Sequence, residues 1–263
     1  MSAPAGPSAP GTGRTRVLED VSAVLFDVLH TLVDDSGFPS RHLRVLLEAE
    51  GHPLDPDVFM RAYRAVSERE FDWEAAAEEV PFRSIRQRHR ARVEAVYEVL
   101  DLSKERDVAK DTEWLWHRIA TSRIYPEVPR VLSVLAERGY RLALLSNADE
   151  DDPVIQVLLR AGLPITFEAI ITSQGAGAYK PARKIFEHAL WKLDLDPSRV
   201  VVVGDSPSSD VLGAAGAGMS AVWVNRRGRT YPDGYPEPAA EVSDLDGILD
   251  LLPGPGGKKK GAT

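Results

Sequence analysis

Short apolar runs alternate with stretches of helical periodicity between residues 20 and 225. The runs cover residues 21–27 (VSAVLFD), 141–146 (RLALLS), 167–172 (FEAIIT), 200–204 (VVVVG) and 220–225 (SAVWVN). Their hydrophobicity is mostly continuous rather than alternating, the pattern of parallel strands buried on both faces. Helical stripes separate the last four runs. Val128, Val131, Leu132 and Leu135 form one, stopped at Gly139; Val154, Val157 and Leu158 mark a second behind Pro153; Ile185, Phe186, Ala189 and Leu190 mark a third. Strand and helix in alternation predict right-handed βαβ units and a doubly wound α/β sheet.

The interval from Asp27 to Arg141 breaks the alternation. It holds helical patterns over 41–50, 57–70, 82–100 and 105–122, separated by Gly51, Pro53, Pro56, Pro81 and Ser103, and no convincing strand. Residues 39–125 therefore read as an all-helical insertion, a cap over the C-terminal edge of the sheet, where open α/β sheets bind ligands. The sheet domain is then 17–38 with 126–251. Residues 1–16 (MSAPAGPSAPGTGRTR) and the tail 252–263 lack the apolar surface to offset the entropy of ordering, and are expected to be flexible. Lys258, Lys259 and Lys260 read as a solvated tail.

Composition narrows the function. The chain has 263 residues, 43% hydrophobic and 27% charged, with 32 Lys+Arg against 40 Asp+Glu for a net charge of −8. That balance disfavours nonspecific binding to nucleic acid or to an anionic membrane. The absence of cysteine excludes disulfides, thiolate metal sites and a Cys nucleophile. There is no apolar run of transmembrane length and no hydrophobic secretory segment, so the expected location is the cytoplasm. Oligomeric state is not legible.

The candidate chemistry gathers at the strand ends. Asp27 ends the first run, Ser146 and Asn147 end the second, Lys180 follows QGAGAYKP after the third, and Asp205 follows the fourth in GDSPSSD, with Asp210 five residues on. Each alone is as readily a helix cap. Together they bring carboxylates suited to a hard cation such as Mg²⁺, and a hydroxyl and an ammonium suited to phosphoryl oxygens. Ser206 reads as the cap of a helix starting near Pro207.

In order and spacing, FDVLHTL, LLSNAD, YKPARKIFEHAL and VVVGDSPSSDVLGAAGAGM resemble the four motifs of the haloacid dehalogenase (HAD) superfamily of hydrolases, over residues 20–250. The resemblance implies a Rossmann-like core with a helical cap inserted after the first motif. It further implies that Asp27 is the nucleophile of an aspartyl intermediate and that Ser146 hydrogen-bonds the transferring group. Lys180 would neutralise charge, Asp205 would ligate Mg²⁺ with Asp27, and Asp210 would support that metal. Asn147 and His30 are the candidate substrate contacts, and the substrate is a small anionic molecule.

One position departs from the pattern. Phosphatases of the family carry a second aspartate two residues after the nucleophile, where this chain has Leu29. Leucine has no proton to give, and general acid–base catalysis is worth about 10²–10⁴-fold. The Leu29 carbonyl remains available to a metal. His30, at a site usually glycine, reads either as a substitute acid or as a residue facing the cap hinge. Asp34 and Asp35 read as solvated turn residues. In the cap, Arg83, Arg86 and Arg90 read as a solvated face or an anion patch, His89 as a core-edge residue, and Trp73, Trp114 and Trp116 as pocket walls or packing. Three functions follow: a phosphatase, an enzyme whose leaving group needs no protonation (halide, acyl phosphate, phosphonate or sulfate), and a noncatalytic binder of phosphorylated ligands.

Overall fold

The computed structural model describes residues 18–34, 40–70, 82–118, 122–163 and 167–254, with backbone only for 67–70. The N-terminal tail, residues 255–263, Asp35, the segment 37–39, Trp73 and Pro81 lie outside the described residues.

In chain order the elements are β1 (Ala23–Phe26), β2 (Val33–Asp34), α1 (Ser40–Ala49), α2 (Pro56–Glu70), α3 (Ile85–Val99), α4 (Val108–Arg118), β3 (Arg123–Ile124), α5 (Val128–Glu137) and β4 (Arg141–Ser146). There follow α6 (Pro153–Arg160), β5 (Ala169–Thr172), α7 (Ser173–Ala176), α8 (Arg183–Leu193), β6 (Val200–Gly204), α9 (Leu212–Gly216), β7 (Ser220–Val224), β8 (Ala240–Val242) and α10 (Ile248–Leu251).

A six-stranded sheet runs in the order β5-β4-β1-β6-β7-β8. Every pairing in it is parallel, with Ala23 opposite both Arg141 and Val200. This is the doubly wound, Rossmann-like α/β architecture. Alternate β1 residues serve opposite faces. Val24 and Phe26 join Val131, Leu132 and Leu135 of α5, whereas Ala23 and Leu25 join Ile185, Phe186 and Ala189 of α8. Burial on both sides explains why these strands read as unbroken apolar runs.

Among the described residues between β2 and β3 lie the helices α1 to α4, with an apolar cluster of their own built on Leu47, Phe59, Val93, Val96, Tyr97 and Leu115. The start of α3 is set by a capping box. The Ser84 side chain accepts from the Gln87 amide, and the Gln87 side chain accepts from the Ser84 amide. The helix therefore begins at Ile85, three residues after Phe82.

Three features differ from the sequence expectation. β2 and β3 pair antiparallel, Val33 with Ile124, so the interval held to have no strand contains two. Each is two residues long, too short to show a period. Asp34 belongs to this ribbon and receives a hydrogen bond from the Tyr125 hydroxyl at 3.4 Å, so it is not simply a solvated turn residue. At the other end, Leu252 is fully buried and its carbonyl accepts from Arg138, so the packed chain continues past residue 251.

Candidate active site

Asp27 is the first residue beyond β1, and its amide donates to the Val203 carbonyl at 2.9 Å, so the central strands fix its backbone. Lys180 arrives from the loop between α7 and α8. Its Nζ donates to Asp27 Oδ1 at 2.7 Å, to Asp210 Oδ1 at 2.7 Å and to the Leu145 carbonyl at 3.0 Å. Only 2% of Lys180 is exposed. Burial works against its charge, but the two aspartates outweigh it and hold the ammonium above the ordinary lysine range.

Asn147 secures the backbone beneath that ammonium. The Lys180 amide donates to Asn147 Oδ1 at 2.7 Å, and Asn147 Nδ2 donates to the Lys180 carbonyl at 3.2 Å. The side chain expected to meet substrate is thus engaged on the lysine loop. Ser146 is buried at the end of β4, its register partner being Thr172.

Asp210 sits within the single wide turn Pro207–Val211, which Ser206 caps by accepting from the Ser209 amide. Asp210 Oδ2 accepts from the Ser206 amide at 3.0 Å. A Cβ on Gly204 would lie 2.2 Å from that same oxygen. Glycine is required there so that the Asp210 carboxylate can press against the backbone.

Asp27, Asp205 and Asp210 each offer a carboxylate oxygen, and these oxygens all lie within 4.8 Å of one another. Burial, then Asp27 and Asp210, push the Asp205 carboxyl up to about 7. Burial also raises Asp210, reinforced by Asp27 and opposed by Lys180. Hard oxygen donors that strain against their own negative charge form a site that fits a divalent cation. Arg229 relieves part of this strain, donating to the Asp205 carbonyl at 2.8 Å and approaching Oδ2 at 3.4 Å, while Trp223 Nε1 donates to the same carbonyl at 2.9 Å. Neither residue was singled out from the sequence. The signal available was NRRGR directly after a strand at the reactive edge.

Leu29 is half-buried and packs against the apolar cluster under β1, which accounts for a leucine there. His30 takes a left-handed φ of 62°, the conformation that glycine adopts without cost. Its Nδ1 is buried, and among the described residues that nitrogen has no hydrogen-bond partner. Burial first, then Arg227 and Arg229, lower its pKa against the pull of Asp34, so the imidazole is neutral at pH 7. Arg226 fixes this segment, donating to the carbonyls of His30 at 3.2 Å and Thr31 at 2.8 Å and stacking on Tyr125.

The helical insertion meets the sheet domain beside these residues. Asp149, three positions after Ser146, accepts from the amides of Ile85 at 2.7 Å and Arg86 at 3.0 Å at the start of α3. Arg86 Nη2 donates to Asp151 at 2.9 Å. Tyr179, adjacent to Lys180, donates its hydroxyl to the Arg83 carbonyl and stacks on Phe82. Arg86 is therefore a bridge rather than part of a free arginine face, while Arg83 and Arg90 are exposed. His89 lies edge-on to the buried Trp116, and Trp114 packs at the margin of the insertion's cluster. Charge-assisted hydrogen bonds contribute about 1.5–3 kcal/mol. Asp149→Ala should accordingly raise amide exchange at Ile85 and Arg86 about ten- to hundredfold, leaving the β1 and β6 amides unchanged. Unaltered exchange at α3 would remove Asp149 from the contact.

The model of the haloacid dehalogenase-like hydrolases matches residues 21–218, and the chain belongs to that family. It is 38% identical over 108 residues to glyceraldehyde 3-phosphate phosphatase of Methanothermobacter thermautotrophicus, a match covering 41% of this chain and 47% of that protein. Against (S)-2-haloacid dehalogenase of Pseudomonas sp. strain YL, identity is 32% over 134 residues, covering 51% of this chain and 57% of that protein. The matched stretch thus spans about half the length of these relatives. Among solved structures, the HAD-hydrolase YfnB of Bacillus subtilis, bound to magnesium, superposes with a TM-score of 0.72 at 20% identity, covering 89% of this chain and 100% of that one. That likeness is one of fold. The chain is thus a hydrolase of the haloacid dehalogenase-like family, and no helix among its described residues is long and apolar enough to cross a membrane.

Proposed function

We propose that this protein is a Mg²⁺-dependent phosphoester hydrolase acting on a small anionic metabolite through an aspartyl intermediate on Asp27. The observation that carries the reading is Lys180 Nζ held at 2.7 Å from both Asp27 and Asp210, beside a third carboxylate. The substrate named for one relative, glyceraldehyde 3-phosphate, belongs to the same chemical class.

In this reading Asp27 attacks phosphorus as the P–O bond to the leaving alkoxide or phenoxide breaks, and water then attacks the aspartyl phosphate, releasing inorganic phosphate and restoring the carboxylate. Lys180 offsets the charge on the carboxylate and on the transferred group, and Ser146 hydrogen-bonds a phosphoryl oxygen. Asn147 positions Lys180 through its backbone. Asp27, Asp205, Asp210 and the Leu29 carbonyl would hold Mg²⁺, which supplies the positive charge that lets one anion approach another. The insertion acts as a cap that excludes water, and residues 17–38 with 126–251 form the catalytic domain. Nucleic acid is not among the expected partners.

Asp205 makes the metal dependence testable. Its carboxyl must lose a proton near pH 7 before binding a cation. Mg²⁺ affinity should therefore rise with pH, about tenfold per unit while the proton competes, and level off above 7. Calorimetric titration of wild type and Asp205→Asn checks this; equal affinities at pH 8 would refute the assignment.

The second reading, expulsion of a group that needs no proton, is favoured by Leu29 and by the likeness to a haloacid dehalogenase. Leu29→Asp separates the two. For a phosphatase, it should raise rates on alkyl phosphates by about 10²-fold and change aryl phosphates with acidic phenols much less, because those leave unaided. For a dehalogenase-type enzyme, the new carboxylate adds charge beside Asp27 and lowers halide release. Equal rates for both variants on both phosphate classes would move proton donation elsewhere, with His30→Ala as the next measurement.

A further inference from the structure

A cleft of about 680 Å³ lies at the seam between the insertion and the sheet domain, and none of the strand-end residues lines it. Its walls include Arg86 of α3, Trp116 and His117 of α4, Arg123 and Ile124 of β3, and Val157 and Arg160 of α6. The volume falls in the range of pockets that take a small organic molecule, roughly 300–1,000 Å³.

Charge gives the cleft its character. The chain carries a net charge of −8, yet among the described residues the cleft is lined by Arg86, Arg123 and Arg160 against the one carboxylate of Asp151. Among the described residues, neither Arg123 nor Arg160 makes a side-chain hydrogen bond or ion pair. Arg86, also on the wall, is matched by Asp151 at 2.9 Å and Glu113 at 3.7 Å, which leaves Arg123 and Arg160 as the cleft's surplus positive charge. Beside these charges and Gln156, the lining is apolar, from Ile124, Val157 and the edge of Trp116. Trp116 is itself 2% exposed, a firm wall rather than a mobile ring.

We propose that this seam is a second, noncatalytic binding site for a small organic anion, an acidic head between Arg123 and Arg160 with its apolar body against Ile124, Val157 and Trp116. Such a ligand touches the insertion, its return strand and the sheet domain at once. Occupancy therefore favours the seated insertion, by the same linkage that lets any ligand stabilise the state it binds.

The experiment is calorimetric titration with 2-naphthoate, which holds no phosphoryl group. The neutral 2-naphthalenemethanol supplies the same ring without the charge. The expected result is one naphthoate per chain with Kd at or below about 1 mM. Asp27→Asn should leave this Kd within twofold, which separates the seam from the reactive edge whatever reaction the latter performs. The double variant Arg123→Gln/Arg160→Gln should weaken it at least tenfold, the loss expected from removing charge-assisted contacts. Ala161→Trp, which fills the mouth from an exposed helix end, should do the same without altering charge. Equal affinity for the alcohol, a loss under tenfold in both variants, or displacement of binding by Asp27→Asn would each overturn the proposal.

Discussion

Lys180→Met should lower the unfolding free energy of the metal-free protein by about 3–5 kcal/mol at pH 8, the range for removing one partner of a buried ion pair. Methionine preserves length and apolar contact, so the loss reports charge rather than volume. In the wild-type chain the ammonium lies 2.7 Å from Asp27 and from Asp210 and is the charge that lets the two carboxylates face each other inside the protein. Its removal also deprives the Leu145 carbonyl of a donor. The deficit should shrink as pH falls, because Asp210 already titrates above an ordinary aspartate. A carboxyl whose folded pKa is raised binds more protons when folded, so acidification down to its unfolded pKa stabilises the fold. Added Mg²⁺ should recover part of the loss at pH 8. Urea denaturation at pH 5.5 and pH 8 measures this, and a pH-independent change would mean that packing, not charge, is lost. Activity should fall about 10²–10³-fold, the scale of losing one charge-stabilising donor.

How much of this arrangement could be read along the chain follows from the range of each interaction. The five long strands announce themselves because burial on both faces demands unbroken apolarity. Asp27 and Asp205 are legible as strand-end carboxylates once the strands are placed. The β2–β3 ribbon and β8 are too short to carry a period, and their positions depend on what lies beside them. The contact of Asp149 with α3 joins residues 64 positions apart, and nothing in SNADEDD distinguishes a carboxylate aimed at a helix start from one in solvent. Asn147 shows the same limit. Its place after a strand suggested a substrate contact, whereas its amide is matched on both sides by the backbone of Lys180, 33 residues away. Gly204 is a further case: its missing Cβ makes room for Asp210, a demand that only the folded contact displays.

Asp27→Asn should reduce turnover at least about 10³-fold while leaving the fold intact. Both carbonyl and carboxylate oxygens accept hydrogen bonds, so the side-chain amide oxygen of the variant can keep the 2.7 Å contact with Lys180, and the backbone N–H at this position still pairs with Val203. What is lost is the nucleophile, since an amide forms no acyl phosphate. The substitution also reaches the metal site. The charge on Asp27 is, after burial, the largest cause that raises Asp205. Its removal should bring the Asp205 carboxyl below about 7, so the pH at which Mg²⁺ binding levels off should move down even as the loss of one ligand weakens the affinity. Denaturation midpoints should stay close to wild type, because the attraction to Lys180 that is lost is offset by relief of the repulsion among three carboxylates, and Lys180 keeps its pair with Asp210. Acid-quenched wild type mixed with substrate should carry a phosphoryl group on the peptide containing Asp27, and the variant should carry none. Residual turnover within tenfold of wild type would place the nucleophile at another residue, and an unchanged pH profile for Mg²⁺ would remove Asp27 as a cause of the raised Asp205 carboxyl.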